Sequence, residues 1–93
     1  MALVVCESVA EGLRPEEKSV TVRNAVSGGR SSVRVEADFL TVHESKCYLP
    51  VGVVQEELQL GLLLVELPQE PDAGSTRLWV RTVDVLKPQQ VPA

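Results

Sequence analysis

Residues 49–68 read LPVGVVQEELQLGLLLVELP, and within them Leu62, Leu63, Leu64 and Val65 follow one another with no polar residue between. Successive side chains of a strand point to opposite faces, so a strand with one face in water alternates apolar with polar. Four apolar residues in a row therefore require cover on both sides. The stretch reads as a β-hairpin, with an apolar arm over 49–54, a polar turn over 55–61 and a second arm over 62–67. Val51, Val54, Leu58, Leu62 and Val65 also fit a helical stripe. Gly61 in mid-run, a proline at each end and β-branched residues at 51, 53, 54 and 65 favour strands. One face of the second arm is expected to line the core, and the other to need the N-terminal segment or a second subunit.

A chain of 93 residues makes one domain and buries only about 60–65% of its unfolded surface, which leaves little material to wrap such an arm. The apolar share of 44% comes from Val and Leu rather than rings, since Phe39, Tyr48 and Trp79 are the only aromatics. Valine suits the pleated surface of a sheet.

Along the chain, 1–10 reads as a first strand and 11–18 as a connector, in which Arg14-Pro15-Glu16-Glu17 fits one helical turn. Residues 19–24 and 31–39 alternate around Ser27-Gly28-Gly29, a hairpin signal that places Val33, Val35, Ala37 and Phe39 inward. Residues 40–48 form either a small hairpin turning at Glu44-Ser45-Lys46 or an irregular excursion. A loop over 69–76 leads to a short strand, 77–80, with Trp79 on the face opposite Leu78 and Val80. A tight turn over 81–84 and a last strand over 85–87 follow. The expected fold is mostly β: a single domain over 1–87, built as a small antiparallel barrel or sandwich of five to six short strands, with a flexible tail over 88–93.

The order of hairpin, loop, Trp-bearing strand, tight turn and last strand in the final third resembles Src-homology-3-like barrels. The region 53–86, where a paired strand with a central Gly leads to a terminal apolar strand, is similar to the small barrel of the photosynthetic reaction-centre H-subunit family. Each resemblance covers about the C-terminal half and implies a small β-barrel. Neither assigns a binding residue.

The chain carries 13 acids against 9 bases, for a net charge of −4. That balance opposes long-range attraction to phosphate, and so counts against nucleic acid and anionic membranes. Arg23, Arg30 and Arg34 offer one local basic strip, but Glu36 and Asp38 continue the same face, and three aromatics leave few rings to stack bases. The opening MALVVCESVAEGLR has no basic region before its apolar run, and no run approaches the ~20 residues that cross a bilayer. Cys6 and Cys47 are too few for a disulfide scaffold. A cytoplasmic protein with reduced thiols is the expectation.

His43 and Cys47 are the one reactive-looking pair. A three-residue loop at Glu44-Ser45-Lys46 sets them opposite each other at about 5 Å between Cβ atoms, whereas in a continuous strand they lie roughly 13 Å apart. The turn Ser27-Gly28-Gly29-Arg30-Ser31 offers a nest for an anion but lacks the spacing of a phosphate loop. Glu66, Glu70 and Asp72 gather near one loop without the alternation of a calcium site. Trp79, flanked by Arg77 and Arg81, serves either as core cover or as an anchor for a partner.

The leading expectation is a non-enzymatic protein-interaction module that pairs with itself as a homodimer through Leu62, Leu63, Leu64, Val65 and Trp79. It needs no cofactor and no metal. A small-ligand or metal-dependent activity at His43 and Cys47 is the first alternative. A weak nucleic-acid binder is the second.

Overall fold

The computed structural model describes residues 2–72 and 74–86. The tail expected over 88–93 lies outside the described residues. Among those residues the chain forms β1 (Ala2–Val5), β2 (Ser8–Glu11), β3 (Glu17–Arg23), β4 (Arg30–Glu36), β5 (Thr41–His43), β6 (Lys46–Glu57), β7 (Leu62–Glu66), β8 (Arg77–Arg81) and β9 (Val85–Leu86). Single 3₁₀ turns occupy Ala37–Phe39, Leu58–Leu60 and Thr82–Asp84.

The strands make two antiparallel sheets. The larger runs β8-β7-β6-β1-β9 with β5 also paired to β6, and the smaller runs β2-β3-β4. Val20, Val22, Val33 and Val35 on the inner face of the smaller sheet pack in one cluster with Ala2, Val4, Leu49, Val51, Leu63, Val65, Leu67, Leu78, Val80 and Val85. All these side chains are apolar, and full burial of each Val or Leu stabilises the fold by roughly 1.5–3 kcal/mol before entropy is counted. The molecule is thus a sandwich-like pair of packed sheets.

Barrel closure, the premise of both resemblances, does not occur among the described residues. The two sheets are joined through isolated bonds rather than ladders: Ala25 N–H donates to the Trp79 carbonyl at 2.8 Å, and Asp72 N–H to the Ser32 carbonyl at 2.9 Å. The expected first strand over 1–10 is two strands in different sheets. Cys6 N–H donates to the Cys47 carbonyl in the larger sheet at 2.9 Å, and Glu7 N–H to the Thr21 carbonyl in the smaller one at 2.7 Å. Among the described residues there are nine strands rather than five or six, this split and the separate β5 being two of the reasons.

The central hairpin is built of strands, as the β-branched residues and Gly61 indicate. Its first arm is longer than expected, reaching Glu57 with a register irregularity between Val53 and Gln55, so the turn contracts to 58–61. Gly61 sits at φ 67°, in the left-handed region where a side chain is strained. The β3–β4 hairpin forms with Val20 opposite Val33. It ends at Glu36, however, and Ala37–Phe39 turns in a 3₁₀ helix that leaves Phe39 exposed rather than inward. At 14–17, where one helical turn is expected, the chain closes a single reverse turn through Glu17 N–H to the Arg14 carbonyl at 3.0 Å, and β3 begins at Glu17.

Candidate functional site

The leucine run resolves by alternation. Leu63 and Val65 point into the core at 1% and 0% exposure, while Leu62 and Leu64 are half-buried on the other face. Leu63 and Val65 therefore drop out of the expected interface, because a partner cannot reach them without unfolding β7. On the outer face Leu64 stands between Gln55 and Trp79, and Leu62 between Glu57 and Arg81. Both arginines beside Trp79 are engaged by carboxylates. Arg77 Nε lies 3.4 Å from Glu66 Oε1, and Arg81 grips Asp84 through Nε–Oδ2 at 3.0 Å and Nη2–Oδ1 at 3.3 Å.

Beyond the end of β7 lies an apolar corner that the strand pattern does not announce. Leu58 and Leu60 are 61% and 70% exposed on one 3₁₀ turn, and Val83 is 80% exposed on another. The two turns are tied together where Thr82 N–H donates to the Gly61 carbonyl at 2.9 Å. The only signal in the sequence is leucine at two positions of a turn, where polar residues normally stand.

His43 and Cys47 do not face each other. The β5–β6 loop has two residues, Glu44 and Ser45, both at positive φ (51° and 66°), as a type I′ hairpin requires. That pairs His43 with Lys46 and Val42 with Cys47, so the two side chains emerge on opposite faces. His43 lies instead beside Tyr48, with ring centroids 6.4 Å apart. Cys47 stands opposite Cys6, one step beyond the pairing of Val5 with Tyr48. Burial, and then the Cys47 thiol beside it, push the Cys6 thiol up to about 12. Both cysteines are free thiols.

The remaining candidates are absorbed locally. Arg23 and Arg30 are cross-strand partners, a like-charge pairing that Glu7 offsets by meeting Arg30 Nη2 at 2.9 Å. Arg34 meets Asp72 at 3.3 Å, so the outer face of the smaller sheet carries mixed charge. Glu66 and Asp72 are thereby directed to different arginines. Among the described residues no three His, Cys, Asp or Glu side chains gather closely enough to hold a metal ion.

In the Ser27–Ser31 turn the amides already have acceptors. Val26 and Ser27 N–H donate to Asn24 Oδ1, Gly28 N–H to the Asn24 carbonyl and Gly29 N–H to Ser27 Oγ. Surface openings next to this turn (≈ 290 Å³), beside Phe39 (≈ 300 Å³) and at the Glu7–Arg81 end of the sandwich (≈ 190 Å³) fall at or below the small end of ligand sites, about 300–1,000 Å³. Among the described residues no helix is long and apolar enough to cross a membrane. No protein-family model, curated protein or solved structure matches the chain.

Proposed function

We propose that the chain is a non-enzymatic protein-interaction module whose partner is a second copy of itself, joined at the corner formed by Leu58, Leu60 and Val83. The observation that carries this is the exposure of those three side chains, between 61% and 80%, on two adjoining turns. Contiguous exposed apolar surface is the usual mark of an interaction site. A two-fold interface sets the same patch against itself, which suits apolar side chains and penalises unpaired charge. Arg81, on the strand that leads into the second turn, is already paired with Asp84 at 3.0 Å, so it brings no uncompensated cation to the patch. Leu62, next to the corner in the chain, extends the apolar surface toward Leu64 and Trp79.

Size-exclusion chromatography with light scattering tests the proposal. The expected result is a dimer at high micromolar concentration that dissociates on dilution. Leu60→Glu should weaken the dimer at least about tenfold, equivalent to roughly 1.4 kcal/mol, with little change in the melting temperature of the dilute monomer. A wild-type chain that stays monomeric at high micromolar concentration refutes self-association.

A further inference from the structure

We propose that Cys6 and Cys47 form a cross-strand redox site, a dithiol that small disulfide oxidants convert to an intramolecular disulfide. The β1–β6 ladder runs from Ala2 opposite Val51 to Val5 opposite Tyr48, and its next step sets Cys6 against Cys47. One of the two bonds of a hydrogen-bonded cross-strand position is present there, from Cys6 N–H to the Cys47 carbonyl at 2.9 Å. Such positions hold Cα atoms about 5.5 Å apart, and disulfides span about 4.4–6.8 Å. Cross-strand Cβ atoms lie about 4.5–5.5 Å apart against roughly 3.5–4.5 Å in a disulfide, so closure draws the strands together by about 1 Å. Both residues are only partly buried, which leaves room for a small oxidant to approach.

The step balances as thiol–disulfide exchange. A thiolate of the pair attacks a low-molecular-weight disulfide, RSSR, and expels one thiolate to leave a mixed disulfide on the protein. The second cysteine attacks the protein sulfur of that bond and expels the other thiolate. The protein gives up two electrons and two protons, and the oxidant leaves as two RSH molecules. Attack needs a thiolate, so closure accelerates as pH rises.

Its location gives the bond a consequence. Cys6 is the last residue tied to the larger sheet, and Glu7 the first tied to the smaller one. The disulfide fastens the chain at this crossing and encloses the whole smaller sheet, with β5, in a loop of about 40 residues.

The test incubates the full native chain with excess oxidised glutathione at mildly alkaline pH. Intact mass and titration of denatured protein for free thiols are then measured. The expected product is a monomer lighter by two hydrogens, with no free thiol, melting roughly 10 °C higher than the reduced chain and reverting with dithiothreitol. Cys6→Ser and Cys47→Ser variants should each stop at the glutathione mixed disulfide. Wild-type protein that keeps both thiols, accumulates only mixed disulfides, or links into disulfide dimers overturns the proposal.

Discussion

Leu63→Ala is the substitution on which the two faces of β7 can be separated. Leu63 is 1% exposed, lies on a central strand between Glu56 of β6 and Val80 of β8, and belongs to the main core cluster. Truncation there removes three buried carbons and leaves a cavity that flanking strands on both sides keep from collapsing, at a cost of about 2–5 kcal/mol. A domain of this size has a total stability of roughly 5–14 kcal/mol, so the loss is a large fraction of the whole. Leu62→Ala removes the same atoms from a half-buried site on the outer face, where no cavity is sealed, and should cost about 1 kcal/mol. Urea unfolding of both variants, followed by tryptophan fluorescence from Trp79, gives the two midpoints. The assignment of faces fails if Leu62→Ala is as damaging as Leu63→Ala, because a register slip of one residue exchanges the two environments.

Two further outcomes follow from backbone and titration. The double substitution Glu44→Asn and Ser45→Gly gives the β5–β6 turn residues suited to its positive φ values and should raise stability by about 1–2 kcal/mol in the same urea assay; a loss would mean that the turn is not of type I′. The Cys6 thiol is raised from 9.0 to about 12 on folding, so between those values the unfolded chain has lost a proton that the native chain keeps. Its contribution is fully present below pH 9 and declines as pH rises toward about 12, a slope that should be shallower in Cys6→Ser when melting temperature is followed against pH.

What could be read from residues alone was whatever depends on neighbours in the chain. The β3–β4 hairpin is legible because Val20, Val22, Val33 and Val35 alternate on either side of Ser27-Gly28-Gly29. Strand structure for 62–66 is legible because Gly61 and Val65 are poor helix choices. Phe39 keeps the alternation of 33–37 but lies past the last pair of the ladder, Glu17 with Glu36, and no local pattern marks where a ladder stops. The Glu44-Ser45 turn was hidden for a related reason. Neither residue is the Asn or Gly that a two-residue loop normally shows, so a three-residue loop fitted equally well and brought the wrong pair, His43 and Cys47, together.

The opposition of Cys6 and Cys47 and the lack of barrel closure share a different cause. Each depends on which distant strands become neighbours and in what register, and that choice is made by the summed burial of whole faces. Placing Ala2 and Val4 opposite Val51 and Leu49 buries four apolar side chains at once, and the cysteines come together as a by-product of that register. Closure needs two edge strands to reach each other along their length, whereas here single bonds at Ala25 and Asp72 already join the sheets.

Part of the exposed apolar surface sits on turns, at Leu58, Leu60 and Val83, and this has a mechanical consequence. A leucine in the core stabilises the fold in proportion to the area it hides, so its replacement changes stability first. Leu58, Leu60 and Val83 hide little, so polar replacements there cost the monomer almost nothing. If the corner is an interface, association and folding are carried by separate residues. Leu60→Glu then changes the dimer without moving the melting temperature of the monomer, and Leu63→Ala does the reverse. A protein in which both substitutions moved both quantities together would have one continuous apolar body, with the corner belonging to the core.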